Sequence, residues 1–118
     1  MMIAISAKGE TLDSNLDLRL GRAERFLLVD SDSEAFSVMS PNTDQKAHGA
    51  GIQTAQALLK TGIKAVISGD CGPKAFQVFQ SAGIPIYSAS GGTVREALNA
   101  WKKKELPVIG QPGPMGHS

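Results

Sequence analysis

Cysteine occurs once in the chain, at Cys71. That excludes an internal disulfide, a Cys-x-x-Cys redox pair and an all-cysteine zinc site within one chain. Aromatic residues are few and scattered, with one tryptophan, one tyrosine and four phenylalanines, so a base-stacking platform is excluded. Neither sign of charge dominates: 12 basic residues face 11 acidic ones, and nothing in that balance calls for nucleic acid or an anionic membrane. No apolar run approaches the ~20 residues of a membrane span. The opening Met-Met-Ile-Ala-Ile-Ser-Ala has no basic residue ahead of its apolar run and reads as a first strand rather than a signal peptide. A chain of 118 residues is one domain, able to bury about two thirds of its unfolded surface. The expectation is a cytoplasmic, monomeric α/β domain without nucleic-acid or membrane partners.

What is present is a chain of short apolar runs separated by glycine turns. Met2–Ala7 reads as a central strand, and Lys8–Asp17 as a polar, irregular loop. Phe26–Asp30 and Phe36–Met39 read as a hairpin. After a second polar loop, Pro41–His48, the residues Ile52, Ala55, Leu58 and Leu59 fall at helical spacing within a helix over 52–61. Gly62 is placed to stop that helix. Ile63, Val66 and Ile67 then suit a buried parallel strand, followed by the turn Gly69-Asp70-Cys71-Gly72 and a helix opened by Pro73. That helix, over 73–82, has Ala75, Phe76, Phe79 and Ala82 on its inner face.

The same strand–turn–helix design repeats about twenty residues later. Ile84–Ser88 is the strand, Ser90-Gly91-Gly92 the turn, and Thr93 with Glu96 the capping-box pair of a third helix that buries Val94, Ala97, Leu98 and Trp101. Lys102–Lys104 close that helix as a solvated turn favoured by the dipole. Residues 107–118 are rich in proline and glycine and read as a mobile tail beyond a domain over 1–106.

The order β-β-β-α-β-α-β-α predicts one mixed sheet with helices on its faces, strand order 3-2-1-4-5 and strand 2 antiparallel, the ribonuclease-H-like arrangement. Strands one, four and five then end on one rim. Their loops, Lys8–Asp17, Gly69–Gly72 and Ser88–Gly92, gather there, and helices opened by glycine turns direct bare N–H groups at an anion. An antiparallel second strand brings Arg19, Arg22 and Arg25 to the same edge, and His48 with Gly49 precedes the first helix. Cys71, at a helix N-terminus, is expected to have a lowered thiol pKa. A two-metal nuclease needs a carboxylate in its first strand, and Ile3-Ala4-Ile5-Ser6-Ala7 has none. Walker loops, nucleophile elbows and paired helix histidines are absent from the sequence as well.

Several pieces agree in order and spacing: Leu20-Gly21-Arg22-Ala23-x-x-Phe26, His48-Gly49-Ala50, the stretch Gly62-Ile63-x-x-Val66-Ile67-x-Gly69-x-x-Gly72-x-x-Ala75, and Gly83-Ile84 followed by Thr93-Val94-x-Glu96-Ala97. With them, residues 2 to 106 resemble the dinitrogenase iron–molybdenum cofactor biosynthesis family (NifX/NifB C-terminal-like). Its members carry or help assemble metal–sulfur clusters. The resemblance implies the ribonuclease-H-like fold and a non-enzymatic role with an anionic molybdenum-containing cluster. A molybdenum–copper sulfide cluster, as in short stand-alone members, is the favoured form, with an iron–molybdenum cofactor precursor as the other. It implies a pocket from Arg19, Leu20, Gly21, Arg22, His48, Gly49, Gly69, Asp70, Cys71 and Gly72, to which the glycine-turn argument adds Gly91 and Gly92. Leu20 would shield the cluster, and Cys71 and His48 are the candidate metal ligands. Many relatives have histidine or phenylalanine before the Gly-Arg pair, where this chain has Arg19-Leu20, and Cys71 is not a family-wide position. Cluster-assembly or recipient proteins are the implied partners. Two other readings stay open: a regulatory protein-interaction module without its own ligand, and a binder or enzyme of a small phosphorylated molecule.

Overall fold

A computed structural model describes residues 1–20, 23–40 and 50–110 of the chain. The strands are β1 (Met2–Ala7), β2 (Arg25–Asp30), β3 (Phe36–Met39), β4 (Ala65–Ser68) and β5 (Ile86–Ser88); the helices are α1 (Ala50–Leu59), α2 (Pro73–Ser81) and α3 (Val94–Lys102). They form one five-stranded sheet in the order β3-β2-β1-β4-β5. β2 runs antiparallel to β1 and β3, while β1, β4 and β5 are mutually parallel. This is the α/β arrangement expected from the sequence.

β1 is central because its residues from Ile3 to Ala7 are buried, with apolar side chains going alternately to both faces of the sheet. Ile3 and Ile5 join Leu27, Val29, Ile67, Val94, Ala97 and Leu98 in one core layer, under α3. Ala4 joins Phe26, Val66, Ala55, Leu58, Phe76 and Phe79 in the other, under α1 and α2. Gly62 and Gly83 stop α1 and α2 with φ of +82° and +73°, a conformation that costs glycine little.

Three local details differ from the sequence reading. α1 begins and ends two residues earlier than 52–61, because Thr61 and Gly62 turn back onto Leu58 and Leu59 carbonyls. Ala82 is exposed rather than on the inner face of α2: it is the C-cap residue, past the last helical turn. The proline- and glycine-rich segment begins as a paired strand edge, since Tyr87 bridges to Val108 and Ile109 packs into the core. Residues 111–118 lie outside the described residues.

The β2–β3 turn is pinned by charge. Asp30 Oδ1 accepts the Asp32 and Ser33 N–H groups. Glu34, at φ +64°, meets Lys102 Nζ at 2.8 Å and Arg95 at 3.5 Å, and Arg95 also reaches Asp13 at 3.1 Å. The hydrogen bond from Lys102 holds the Glu34 carboxyl below its ordinary 4.5, and the N–H groups of Asp32 and Ser33 hold Asp30 below its ordinary 3.8. Their stabilisation is therefore complete above those ordinary values and is lost as pH falls below them through the lowered folded-state values. Urea midpoints should fall as pH drops below about 4.5, and Glu34→Gln should flatten that fall.

Candidate functional site

The rim at the C-terminal ends of β1, β4 and β5 is laced together by residues 8–20. The strap begins at β1, where Lys8 N–H donates to Asn15 O and Asp17 N–H to Ser6 O. Its first half lies on the start of α3. Leu16 N–H donates to Gly92 O, Val94 N–H to Ser14 O and Arg95 N–H to Leu12 O, each at 2.8–2.9 Å. Its second half crosses to the β4 turn, where Arg19 bridges Asp70 and Leu20 N–H donates to Asp70 O. The segment read from sequence as polar and irregular is thus a bonded strap whose Leu12, Leu16 and Leu20 are all buried. Their spacing of four residues was the available signal.

The strap is fastened by a buried polar junction. Ser6 Oγ donates to Asp17 O at 2.5 Å and shares a 2.9 Å hydrogen bond with Ser68 Oγ. Ser6 has a single hydroxyl proton, so Ser68 supplies the proton of the second bond. The Asp17 side chain is 7% exposed, accepts the Arg19 N–H at 3.0 Å and lies 3.6 Å from Arg19 Nε, which leaves the guanidinium otherwise open to solvent. Leu18 lies directly over Gly69: a Cβ on that glycine would sit 2.6 Å from Leu18 Cβ.

The two glycine-turn helix starts have different fates. At α3, Thr93 Oγ1 accepts Glu96 N–H, the Glu96 carboxylate accepts Thr93 N–H, and the strap's carbonyls take Val94 and Arg95. The amides of that first turn are satisfied within the protein and a carboxylate stands beside them. The Gly91-Gly92 turn is a docking point for the strap through Gly92 O, and the helix amides that follow it are already spent. At α2 the N-cap is Gly72, with no side-chain cap, and Pro73 has no N–H to give. The amides that helix geometry leaves open there are those of Lys74 and Ala75. The 69–72 turn itself is largely committed: Gly69 O accepts Ser88 Oγ, Asp70 O accepts Leu20 N–H, and Cys71 N–H donates to Asp70 Oδ1.

Cys71 faces the core, fully buried among the apolar residues under α1 and α2. Burial, aided by the Asp70 charge, pushes its thiol up to about 12, the reverse of the lowering expected at a helix N-terminus. A protonated, buried thiol presents no thiolate to a ligand on the rim. Leu20 is likewise a core residue, 1% exposed, and the apolar side chain open at the rim is Leu18. Arg25 reaches the rim, but its Nη1 is spent on Lys8 O at 2.7 Å. Gly21, Arg22, His48 and Gly49 lie outside the described residues. Among the described residues, no group of three or more His, Cys, Asp or Glu is placed to hold a metal ion. The described part of the candidate site is thus the open α2 start, the exposed Arg19, Lys74 at the helix start, the Asp70 carboxylate and the Leu18 shelf.

Two consequences can be measured. Gly69→Ala should displace Leu18 and loosen the strap, costing about 1–3 kcal/mol and speeding hydrogen exchange at the Leu20 amide. For Cys71 the folded state keeps its proton longer than the unfolded chain, whose thiol has its ordinary value of 9.0. Stability is therefore full below that value and falls as pH rises toward 12. Cys71→Ala should be less stable at neutral pH yet lose that alkaline slope, read as urea midpoints against pH.

The structure matches the apo form of the orange protein from Desulfovibrio gigas with a TM-score of 0.90 and 38% sequence identity, over 95% of each chain. It matches the NMR structure of a NifB-type protein from Thermotoga with a TM-score of 0.85 and 33% identity, over 98% of each chain. An uncharacterized protein of Methanocaldococcus jannaschii is 27% identical over 99 residues, covering 80% of this chain and 84% of the relative. The family model for the dinitrogenase iron-molybdenum cofactor matches residues 1–104, and the chain belongs to that family.

Proposed function

We propose that this protein binds and carries an anionic molybdenum-containing metal–sulfur cluster, of the molybdenum–copper sulfide type, without catalysing a reaction on it. The cluster is cargo, held at the rim and passed to a recipient or assembly protein. The observation that carries this reading is the uncapped start of α2 just past Asp70, the residue that the backbone of the exposed Arg19 bridges. Membership of the cofactor family and the likeness to the orange protein support the choice of ligand class.

The residues fit such a cargo in a particular way. Open amides of Lys74 and Ala75 at the positive end of α2 donate to sulfide or oxo edges. Arg19, held near Asp17 through its amide and Nε, contributes charge and the N–H groups of its two terminal nitrogens. Leu18 supplies the apolar wall expected of Leu20. Asp70 and Asp17 offset the cations of Arg19 and Lys74, so binding through the described residues rests on oriented donors more than on net charge. Hydrogen bonds in place of metal–protein bonds leave a cluster free to be handed on.

Adding tetrathiomolybdate and copper(II) in excess should produce a visible absorption band that stays with the protein through desalting. Arg19→Ala should reduce the retained molybdenum about threefold to tenfold, the scale of one solvent-exposed charge-assisted contact. Glu96→Gln, at the satisfied α3 start, should leave it unchanged. Absence of any band with the wild-type protein would sink the molybdenum–copper form. A melting temperature raised by phosphate alone, with no band, would favour the phosphorylated-molecule reading instead.

A further inference from the structure

The two edges of the sheet are treated differently. The chain covers β5 itself: Ser88 N–H donates to Pro107 O at 2.9 Å, Ile109 N–H to Ile86 O at 2.7 Å, and Val108 bridges Tyr87. β3 has β2 as its one strand neighbour among the described residues. Its sequence, Phe-Ser-Val-Met, has no charge, proline or glycine, the devices that normally keep an edge from pairing. Phe36 and Val38 are 42% and 40% exposed.

The direction of the edge's backbone groups follows from one bond. Asp30 N–H donates to Ala35 O at 2.8 Å, in register with the β2–β3 ladder. Bonded pairs alternate along an antiparallel ladder, so Ser37 and Met39 turn their backbone groups toward β2, while Phe36 and Val38 turn theirs outward. The two outward-bonding residues are also the exposed apolar ones. Opposite Val29 and Leu27, they extend the core layer that α3 covers.

We propose that β3 pairs antiparallel with β3 of a second copy of this chain about a two-fold axis at Ser37, joining two sheets into one. In that register Phe36 of each copy lies opposite Val38 of the other. Each such pair exchanges both backbone hydrogen bonds, and the four side chains make one apolar row across the junction. Charge selects the antiparallel sense. Asp32 and Glu34 both precede β3, so the two-fold sends the acidic turns to opposite ends, whereas parallel pairing would set them side by side. Two side chains per copy are a small contact beside the roughly 800 Å² per partner of a standard interface. The dimer is therefore weak and builds up toward the upper end of the micromolar range, a departure from the monomer expected of the sequence.

Sedimentation equilibrium of the full chain from low micromolar to near-millimolar concentration should show a monomer passing into a dimer. Val38→Lys, at an exposed position, should keep the native circular dichroism and stay monomeric throughout. The register gives a second readout. Ser37 faces its own copy in a non-bonded pair, about 4.5 Å between Cα atoms, within disulfide reach. Cys71 is buried and does not compete. With diamide as oxidant, Ser37→Cys should give a disulfide-linked dimer at least several times faster than Val38→Cys, whose two copies are offset along the strands. Adding Val38→Lys to Ser37→Cys should abolish that advantage. A wild-type protein that is monomeric at every concentration, or equal cross-linking rates at the two positions, would overturn the proposal.

Discussion

Ser6, one residue before the end of β1, has a hydroxyl buried where three segments meet, and the rim takes its form from satisfying it. The proton goes to Asp17 O, while Ser68 from β4 completes the pair. A buried hydroxyl left without partners costs about 1–3 kcal/mol, so this junction fixes the strap against both strands. From there the geometry propagates along the chain. The Asp17 carboxylate catches the Arg19 N–H, Leu18 settles on Gly69, and Leu20 drops into the core. The position of the exposed Arg19 guanidinium is thus set by a hydroxyl on the central strand.

The strap also explains why two similar strand–turn–helix units diverge. Both β4–α2 and β5–α3 pass from a strand through a glycine turn into a helix. At α3 the strap's carbonyls and a capping box consume the first-turn amides. At α2 the strap arrives one strand over and contacts the turn rather than the helix start, which stays uncapped. Neighbouring structure, rather than any property of the turn itself, makes one helix end a fastening and leaves the other open.

Stability and binding are correspondingly separated. The core layers, the pinned β2–β3 turn and the covered β5 edge all hold the sheet without using the α2 start. Cys71 belongs to this structural set: its thiol fills a core position beneath the turn whose Asp70 carbonyl holds the strap. Among the described residues, the places proposed for other molecules are the uncapped helix end with Arg19 and the β3 edge, on different parts of the sheet.

Much of this was legible in the sequence because it depends on local pattern. The apolar run of Met2–Ala7, the alternation in Phe36–Met39, the glycines after α1 and α2, and the Thr93–Glu96 pair each act within a few residues, so strand order, helix stops and the α3 cap could be read directly. The arginine-bearing rim followed from the antiparallel β2. What could not be read were outcomes decided by contacts between residues far apart in the chain. Which face Cys71 turned to, and hence the sign of its thiol shift, depended on how closely α2 packed on the sheet. Leu18, not Leu20, is the apolar side chain open at the rim because Gly69, some fifty residues away, leaves room for it while Leu20 is taken into the core. The α3 start looked as available as the α2 start until the strap's carbonyls reached the Val94 and Arg95 amides. Local periodicity therefore determined the elements and their order; tertiary packing alone decided which polar groups were already spent, because a hydrogen-bond partner is chosen by proximity in space and leaves no mark in the local sequence.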